Sequence, residues 1–167
     1  MSLREILRWP DPRLASPCEE VTVISGEIVE LAQDMLETMY AAPGRGLAAP
    51  QVGVLSRVFV MDSAWKEAAP APKVFINPEI VARSATQAVQ AEGCLSIPGV
   101  TVELARPDSV VLRWTDLDGQ TQEEAFSGFS AACVQHELDH LDGIVTLDRL
   151  EASDRADVIA AYEAQQS

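Results

Sequence analysis

Residues 133–143 read CVQHELDHLDG and contain both histidines of the 167-residue chain, four positions apart, with a glutamate directly after the first. Residues four apart on a helix share a face, so His136 and His140 aim two imidazoles at one point. Glu137 stands next to His136, where its carboxylate reaches a third ligand such as water. This is the His-Glu-x-x-His arrangement of two metal ligands and a general base. Two histidines placed at random in such a chain fall four apart roughly 1% of the time. With glutamate at 15 of 167 positions, the full pattern arises about once in a thousand chains of this composition, so an incidental pair on a solvated helix is the weaker reading. The helix is expected over about residues 128–141, closed by Asp142-Gly143.

Two histidines leave such a site incomplete, because catalytic centres of this kind carry three protein ligands and keep one position open. The downstream carboxylates Asp148, Glu151, Asp154, Asp157 and Glu163 keep a zinc-protease arrangement open. Upstream, QAEGCLSIPGV places Cys94 in a glycine-flanked turn, and a thiolate is a good soft ligand for zinc or iron. Taken alone, Cys94 reads as a small buried side chain; beside a metal helix short of a ligand, it becomes the preferred third donor. Cys133 lies only three residues before His136 and is expected to pack beneath the site. Cys18 has no metal-like neighbours.

The length suits one domain spanning residues 1–167, and 47% apolar residues supply a core. No run of about 18 apolar residues exists, so no membrane span is expected. Three cysteines and an N-terminus without an apolar signal core fit free thiols in a reducing cytoplasm. The net charge of −14 offers no basic surface for phosphates, which argues against direct nucleic-acid binding.

Around the histidine pair, Ile28, Leu31, Met35 and Met39 recur at helical spacing across 26–40, with Ser25 as a cap. SRVFVMD (56–62) reads as a strand and residues 63–72 as a surface loop. KVFINPEI opens a second strand region that Pro78 interrupts. TVELARP and SVVLRWTDLDGQTQEEAF alternate apolar and polar residues, with Asp118-Gly119 as the hairpin turn. The last segment, from Leu150, is expected to be helical. Strands grouped between helices indicate an α+β fold rather than alternating βαβ units. RGLAAP carries no lysine and is not a phosphate loop.

Three stretches, GRGLAAPQVG (44–53), EGCLS (92–96) and QHELDH (135–140), stand in the order of the signature motifs of the peptide deformylase family, which the chain resembles over about residues 4–150. ILRWPDPRL, LETMY and INPEI add to the resemblance. It implies an α+β fold with antiparallel and mixed sheets around a central metal helix. Cys94, His136 and His140 would bind one divalent metal, ferrous iron first, with zinc, nickel or cobalt as alternatives. The reaction would remove formyl from the N-terminal methionine of new polypeptides and release formate. Glu137 would move the proton, while the Gln51 amide and the Leu95 backbone N–H would meet charge on the formyl oxygen. Gly46 would let the backbone approach the substrate. Glu92 and Arg106 would form a supporting ion pair, and Phe129, Ala132 and Cys133 would line the pocket for the first side chain.

The chain also departs from that pattern. Arg45 replaces an apolar residue beside the substrate, where it would either favour an acidic group or point to solvent. Thr101, Phe129 and Ala132 reshape the surroundings. From Asp148 to Ser167 there are five acids and two arginines, so ribosome docking through a basic C-terminal helix is not expected. Two other readings accompany the resemblance: a related enzyme acting on another N-acyl or formyl compound, and a metal-binding module without catalysis. Gln51 and Glu137 argue against the second, since holding a metal requires neither.

Overall fold

Val58, Phe59, Val60 and Met61 are four consecutive apolar residues, and all four are buried. A strand turns successive side chains to opposite faces, so such a run needs cover on both sides. The computed structural model, which describes residues 2–166, supplies that cover with two helices. These four residues form β2 (Val58–Met61) of a five-stranded antiparallel sheet that also contains β1 (Gly46–Ala48), β3 (Lys73–Arg83), β6 (Ser109–Thr115) and β7 (Thr121–Ser127). The strand order is β1-β2-β3-β6-β7. On one face, Val58 and Val60 pack with Leu31, Met35 and Met39 of α1 (Gly26–Ala41). On the other, Phe59 and Met61 join Phe75, Trp114 and Phe126 against Ala131, Val134, Leu138 and Leu141 of α2 (Gly128–Leu141). Phe59 and Phe75 stack at 4.4 Å between ring centroids.

A separate two-stranded hairpin, β4 (Gln87–Cys94) and β5 (Ile97–Pro107), lies against α2 and shares no ladder with the larger sheet. The last helix, α3 (Ala152–Gln166), packs on β5: Tyr162, Ile97, Leu14 and Leu147 form a third apolar cluster. The Tyr162 hydroxyl donates to the Trp9 carbonyl at 3.0 Å. No helix among the described residues is long and apolar enough to cross a membrane.

Most expected elements occur close to their expected bounds. Ser25 caps α1 through its hydroxyl, which accepts from the Ile28 N–H. Gly143, at φ 77°, ends α2 in the left-handed conformation that favours glycine. A Cβ at that position would lie 2.8 Å from the Ala15 carbonyl oxygen.

Two expectations change. β3 does not stop at Pro78 but runs through it, and the ladder with β6 shifts register between Ile76 and Glu79 to absorb the missing donor. Cys94 is not in the glycine-flanked turn itself but ends β4 directly before the Leu95–Ser96 turn, at the shift that closes the β4–β5 hairpin.

The bulge in β3 has a specific fastening. Asn77 adopts φ 51°; its Oδ1 accepts from the Val21 N–H at 2.8 Å and its Nδ2 donates to the Val21 carbonyl at 2.8 Å. Asn77→Ala removes two hydrogen bonds and puts a Cβ without compensation in the left-handed region, a loss of about 2–3 kcal/mol. Asn77→Gly keeps the backbone unstrained and is expected to cost about 1 kcal/mol less than alanine. Urea unfolding of the two variants checks this; equal losses would show that the backbone conformation carries no cost.

Candidate active site

α2 is unusual in being buried on every side from Ala131 to Leu141 while carrying Gln135, His136, Glu137, Asp139 and His140. A buried polar group needs a partner, and most of these have one. Gln135 Nε2 donates to the Pro107 carbonyl at 3.0 Å, linking α2 to the end of β5. His136 Nδ1 lies 3.0 Å from Glu92 Oε1 on β4. That contact fixes the ring and leaves Nε2 to face the site. Glu92 is also gripped by Arg106 of β5, through Nε at 2.6 Å and Nη2 at 2.9 Å. The expected Glu92–Arg106 pair is therefore present and buried.

Asp139 extends the network. Its carboxylate takes Arg106 Nη1 at 3.0 Å and, from the far side, Arg149 Nε at 2.5 Å and Nη2 at 2.6 Å. Sequence reasoning missed Asp139 and Arg149. The only signal available was an aspartate placed between the two histidines.

Cys94 Sγ, His136 and His140 offer donor atoms that all lie within 4.8 Å of one another. Cys94 Sγ and His140 Nε2 are 3.5 Å apart. Sulfur and nitrogen ligands at about 2.3 and 2.0 Å from one tetrahedral ion lie about 3.5 Å apart, so this spacing fits a shared divalent cation. Burial favours a neutral imidazole at His136, but Glu137, Cys94 and Glu92 outweigh it and hold the ring well above its usual pKa. Burial, helped by the charge on His136 and Arg106, holds His140 well below.

Glu137 sits in the same cavity. Burial pushes its pKa up to about 7. One oxygen, Oε1, is buried with no hydrogen-bond partner among the described residues. A buried oxygen left so costs about 1–3 kcal/mol, which marks it as a group whose partner arrives with metal, water or substrate. The carboxylate rests against Gly46 of β1: a Cβ there would lie 2.6 Å from Glu137 Oε2. The space above Gly46 is thus taken by the Glu137 carboxylate.

Gln51 is buried in the turn that follows β1. Its Oε1 accepts from the Ala48 N–H at 3.0 Å, which orients the amide. Its Nε2 donates to Ser96 Oγ at 3.0 Å and lies 3.7 Å from Cys94 Sγ. Ser96, which the sequence reading did not single out, therefore fixes Gln51 to the segment carrying Cys94 and Leu95. The Leu95 side chain packs on Gly44, where a Cβ would meet Leu95 Cδ1 at 2.7 Å.

One cavity of about 900 Å³ takes in Cys94, His136, Glu137 and Gln51, with Phe129, Ala132 and Cys133 on one wall and Arg45 at the edge. Thr101 also lines it. Cys133 is buried, its Sγ 4.0 Å from the Arg45 carbonyl oxygen; burial, with Glu137 and Glu92 nearby, raises its thiol pKa well above the ordinary value. Arg45 does not point freely to solvent. Its guanidinium is turned along the rim, onto Glu67 at 2.6 and 2.8 Å and the Ser63 carbonyl at 2.7 Å, and lies 5.3 Å from the Phe129 ring centroid. Cys18 lies apart from the site, buried in the cluster between α2 and the sheet.

The family model for polypeptide deformylases matches residues 3–156. The peptide deformylase of Afipia carboxidovorans is 49% identical over 97% of this chain and 95% of its own. That of Rhodopseudomonas palustris is 48% identical over 98% and 94%. A crystal structure of the Ehrlichia chaffeensis peptide deformylase in complex with actinonin superposes with a TM-score of 0.92 at 37% identity, covering 99% of this chain and 98% of that one. On this site and this likeness, the chain belongs to the polypeptide deformylase family.

Proposed function

We infer that this protein is a peptide deformylase: a metal-dependent hydrolase that removes the N-formyl group from the N-terminal methionine of nascent polypeptides and releases formate. One observation carries the reading. Three metal-type donor atoms lie within 4.8 Å of one another, and two of the residues that offer them, Cys94 and His136, line the cavity together with Glu137, whose Oε1 has no hydrogen-bond partner among the described residues. We propose Cys94, His136 and His140 as the ligands of one divalent ion. The soft thiolate beside two imidazoles permits iron, zinc, nickel or cobalt, and the resemblance to the family puts ferrous iron first. When bound, the ion supplies Lewis acidity, which polarises a carbonyl and makes water acidic near neutral pH.

The remaining roles belong to the chain. Glu137 Oε1 takes a proton from the attacking water as the oxygen–carbon bond forms, and gives it to the departing amine nitrogen as the carbon–nitrogen bond breaks. The products are formate and a free N-terminal amine. The Gln51 amide is held by Ala48 at Oε1 and by Ser96 at Nε2, and its second N–H, which in this structure reaches Cys94 Sγ at 3.7 Å, would turn to the negative charge that grows on the formyl oxygen. The Leu95 backbone N–H is proposed as the second donor. Phe129, Ala132 and Cys133 receive the first side chain. Glu92, Arg106 and Asp139 orient His136 from behind. The acidic α3 is spent on β5 and offers phosphates little, which supports a deformylase that does not dock on RNA through this helix. A cytoplasmic location follows from the proposed substrate.

Glu137→Gln keeps the shape of the side chain and removes its basicity. Formate release from a formyl-methionyl peptide is expected to fall by about 10²–10⁴, with metal content still near one ion per chain. Undiminished release would remove Glu137 from the reaction. Cys94→Ala is expected to lose the ion itself, read by elemental analysis after gel filtration.

Gly46→Ala tests the steric part of the site. The new Cβ would stand 2.6 Å from Glu137 Oε2, so the carboxylate must move. Displacements of about 1 Å cost roughly 10²-fold in rate. A loss near that size, with metal content and unfolding midpoint held, is the expected outcome. An unchanged rate would mean that Glu137 is not confined by β1.

A further inference from the structure

The protein carries a net charge of −14, yet the mouth of its cavity is basic. Arg4, Arg8, Arg45 and Lys66, four of the chain's 12 lysines and arginines, line it. The acids that line it, Glu92 and Glu137, are both buried at its floor. Two of the four cations are already answered. Arg4 pairs with Asp34 at 2.9 Å, and Arg45 with Glu67. The other two make no ion pair among the described residues, although Lys66 shares the field of its neighbour Glu67. Lys66 Nζ donates to the Pro43 carbonyl at 3.1 Å and lies 5.7 Å from the Trp65 ring centroid. Arg8 Nη1 donates to Gln166 Oε1 at 3.2 Å.

The mouth is also held in shape. Trp65 Nε1 donates to the Gly44 carbonyl at 2.8 Å, fixing the 63–72 loop to the edge of the cavity. At the base of that loop, Asp62 Oδ2 accepts the Tyr40 hydroxyl at 2.5 Å and the Ala71 N–H at 2.9 Å. Lys66 is thus an anchored cation. A formyl group placed beside Glu137 puts the first side chain among Phe129, Ala132 and Cys133. The rest of the peptide, advancing about 3.3–3.6 Å per residue when extended, must leave past these cations. The rim acid Glu67 is already engaged by Arg45, so among the described residues an incoming carboxylate meets two cations outside any ion pair and an incoming lysine meets no free acid.

We propose that Lys66 and Arg8 make this deformylase selective for formylated chains with aspartate or glutamate in the first few residues after the methionine. The inference rests on the deformylase reading and deepens it. Arg45 plays a different part. Neutralised by Glu67 and laid beside Phe129, it builds the wall rather than selecting charge.

The test uses the full-length, metal-loaded protein and three C-terminally amidated peptides, formyl-Met-Ala-Glu, formyl-Met-Ala-Gln and formyl-Met-Ala-Lys. Formate release is followed at low and at high salt. At low salt, kcat/KM for the glutamate peptide is expected to exceed that for the glutamine peptide by roughly three- to tenfold, with lysine below both and the contrast in KM. High salt should compress the series. In the Arg8→Gln/Lys66→Gln double variant the glutamate-to-glutamine ratio, an internal comparison indifferent to overall activity, should fall toward one. Equal rates for all three peptides in the unaltered protein, or a ratio that survives in the double variant, would overturn the proposal and leave the deformylase reading intact. Formate from none of the three would remove both. Rates indifferent to the third residue but inhibited by a short single-stranded RNA, with relief in the double variant, would assign the mouth to a phosphate-bearing partner instead.

Discussion

The Glu92 carboxylate is the contact on which the site depends. It takes two hydrogen bonds from Arg106 and one from His136, all buried. The donor set is split between two bodies: Cys94 ends a hairpin, and the histidines ride on α2, which packs against a different sheet. No backbone ladder joins hairpin to sheet. Backbone hydrogen bonds at its base, from the Ser84 N–H to the Ser109 carbonyl and from the Asp108 N–H to the Thr86 carbonyl, tie the hairpin to the end of the β3–β6 pair; farther out, side chains join it to α2, chiefly Glu92 on β4, Arg106 on β5 and Asp139 on α2, with Gln135 reaching the Pro107 carbonyl. Removing one member would leave uncompensated buried charge, a penalty well beyond the worth of the pair itself. The arrangement thus specifies one alignment of Cys94 with His136 rather than adding much net stability.

That alignment is possible because the apolar work is done elsewhere. α2 turns Ala131, Val134, Leu138 and Leu141 to the aromatic cluster of the sheet, and its other face carries the charged network. The sheet in turn is clamped from behind by Leu31, Met35 and Met39 of α1. A helix committed to polar chemistry on one face can stay buried all round only if its remaining stripe and its neighbours exclude water. The stacked Phe59 and Phe75 and the tilted Trp114 do so directly beneath it.

The sequence was most legible where the signal is local. The His136–His140 spacing, the Ser25 cap, the Asp118-Gly119 hairpin and the Gly143 stop each concern residues within a few positions of one another, where geometry follows from helix or turn periodicity. β4 was not legible as a strand. In QAVQAEGC the outward face includes the exposed Val89, while the inward face includes Glu92, buried by its ion pair rather than by apolarity, so the usual alternation is inverted. Pro78 misled for a similar reason: proline forbids a regular ladder position but not a bulge, and Asn77 supplies the bulge. Arg45 could be placed at the cavity but not oriented, because its partner Glu67 lies in a loop without periodicity. Asp139 and Arg149 form their bidentate pair only once the chain has turned back after α2.

Glu137 shows why the base is placed by shape more than by bonds. A carboxylate fixed by several N–H donors is stabilised as the anion and becomes a poor proton acceptor. Glu137 has one oxygen without a partner, and the other is confined against the bare backbone of Gly46. Packing holds the side chain in position without lowering its proton affinity, and burial raises that affinity further. Glu92, on the opposite side of His136, has the reverse surroundings: despite its burial, His136 and Arg106 keep its pKa below the ordinary carboxylate value. Two glutamates in one cavity are thus driven apart, one toward proton transfer and one toward permanent charge. The chain achieves this with His136 and Arg106 beside the second and with burial against a bare glycine around the first.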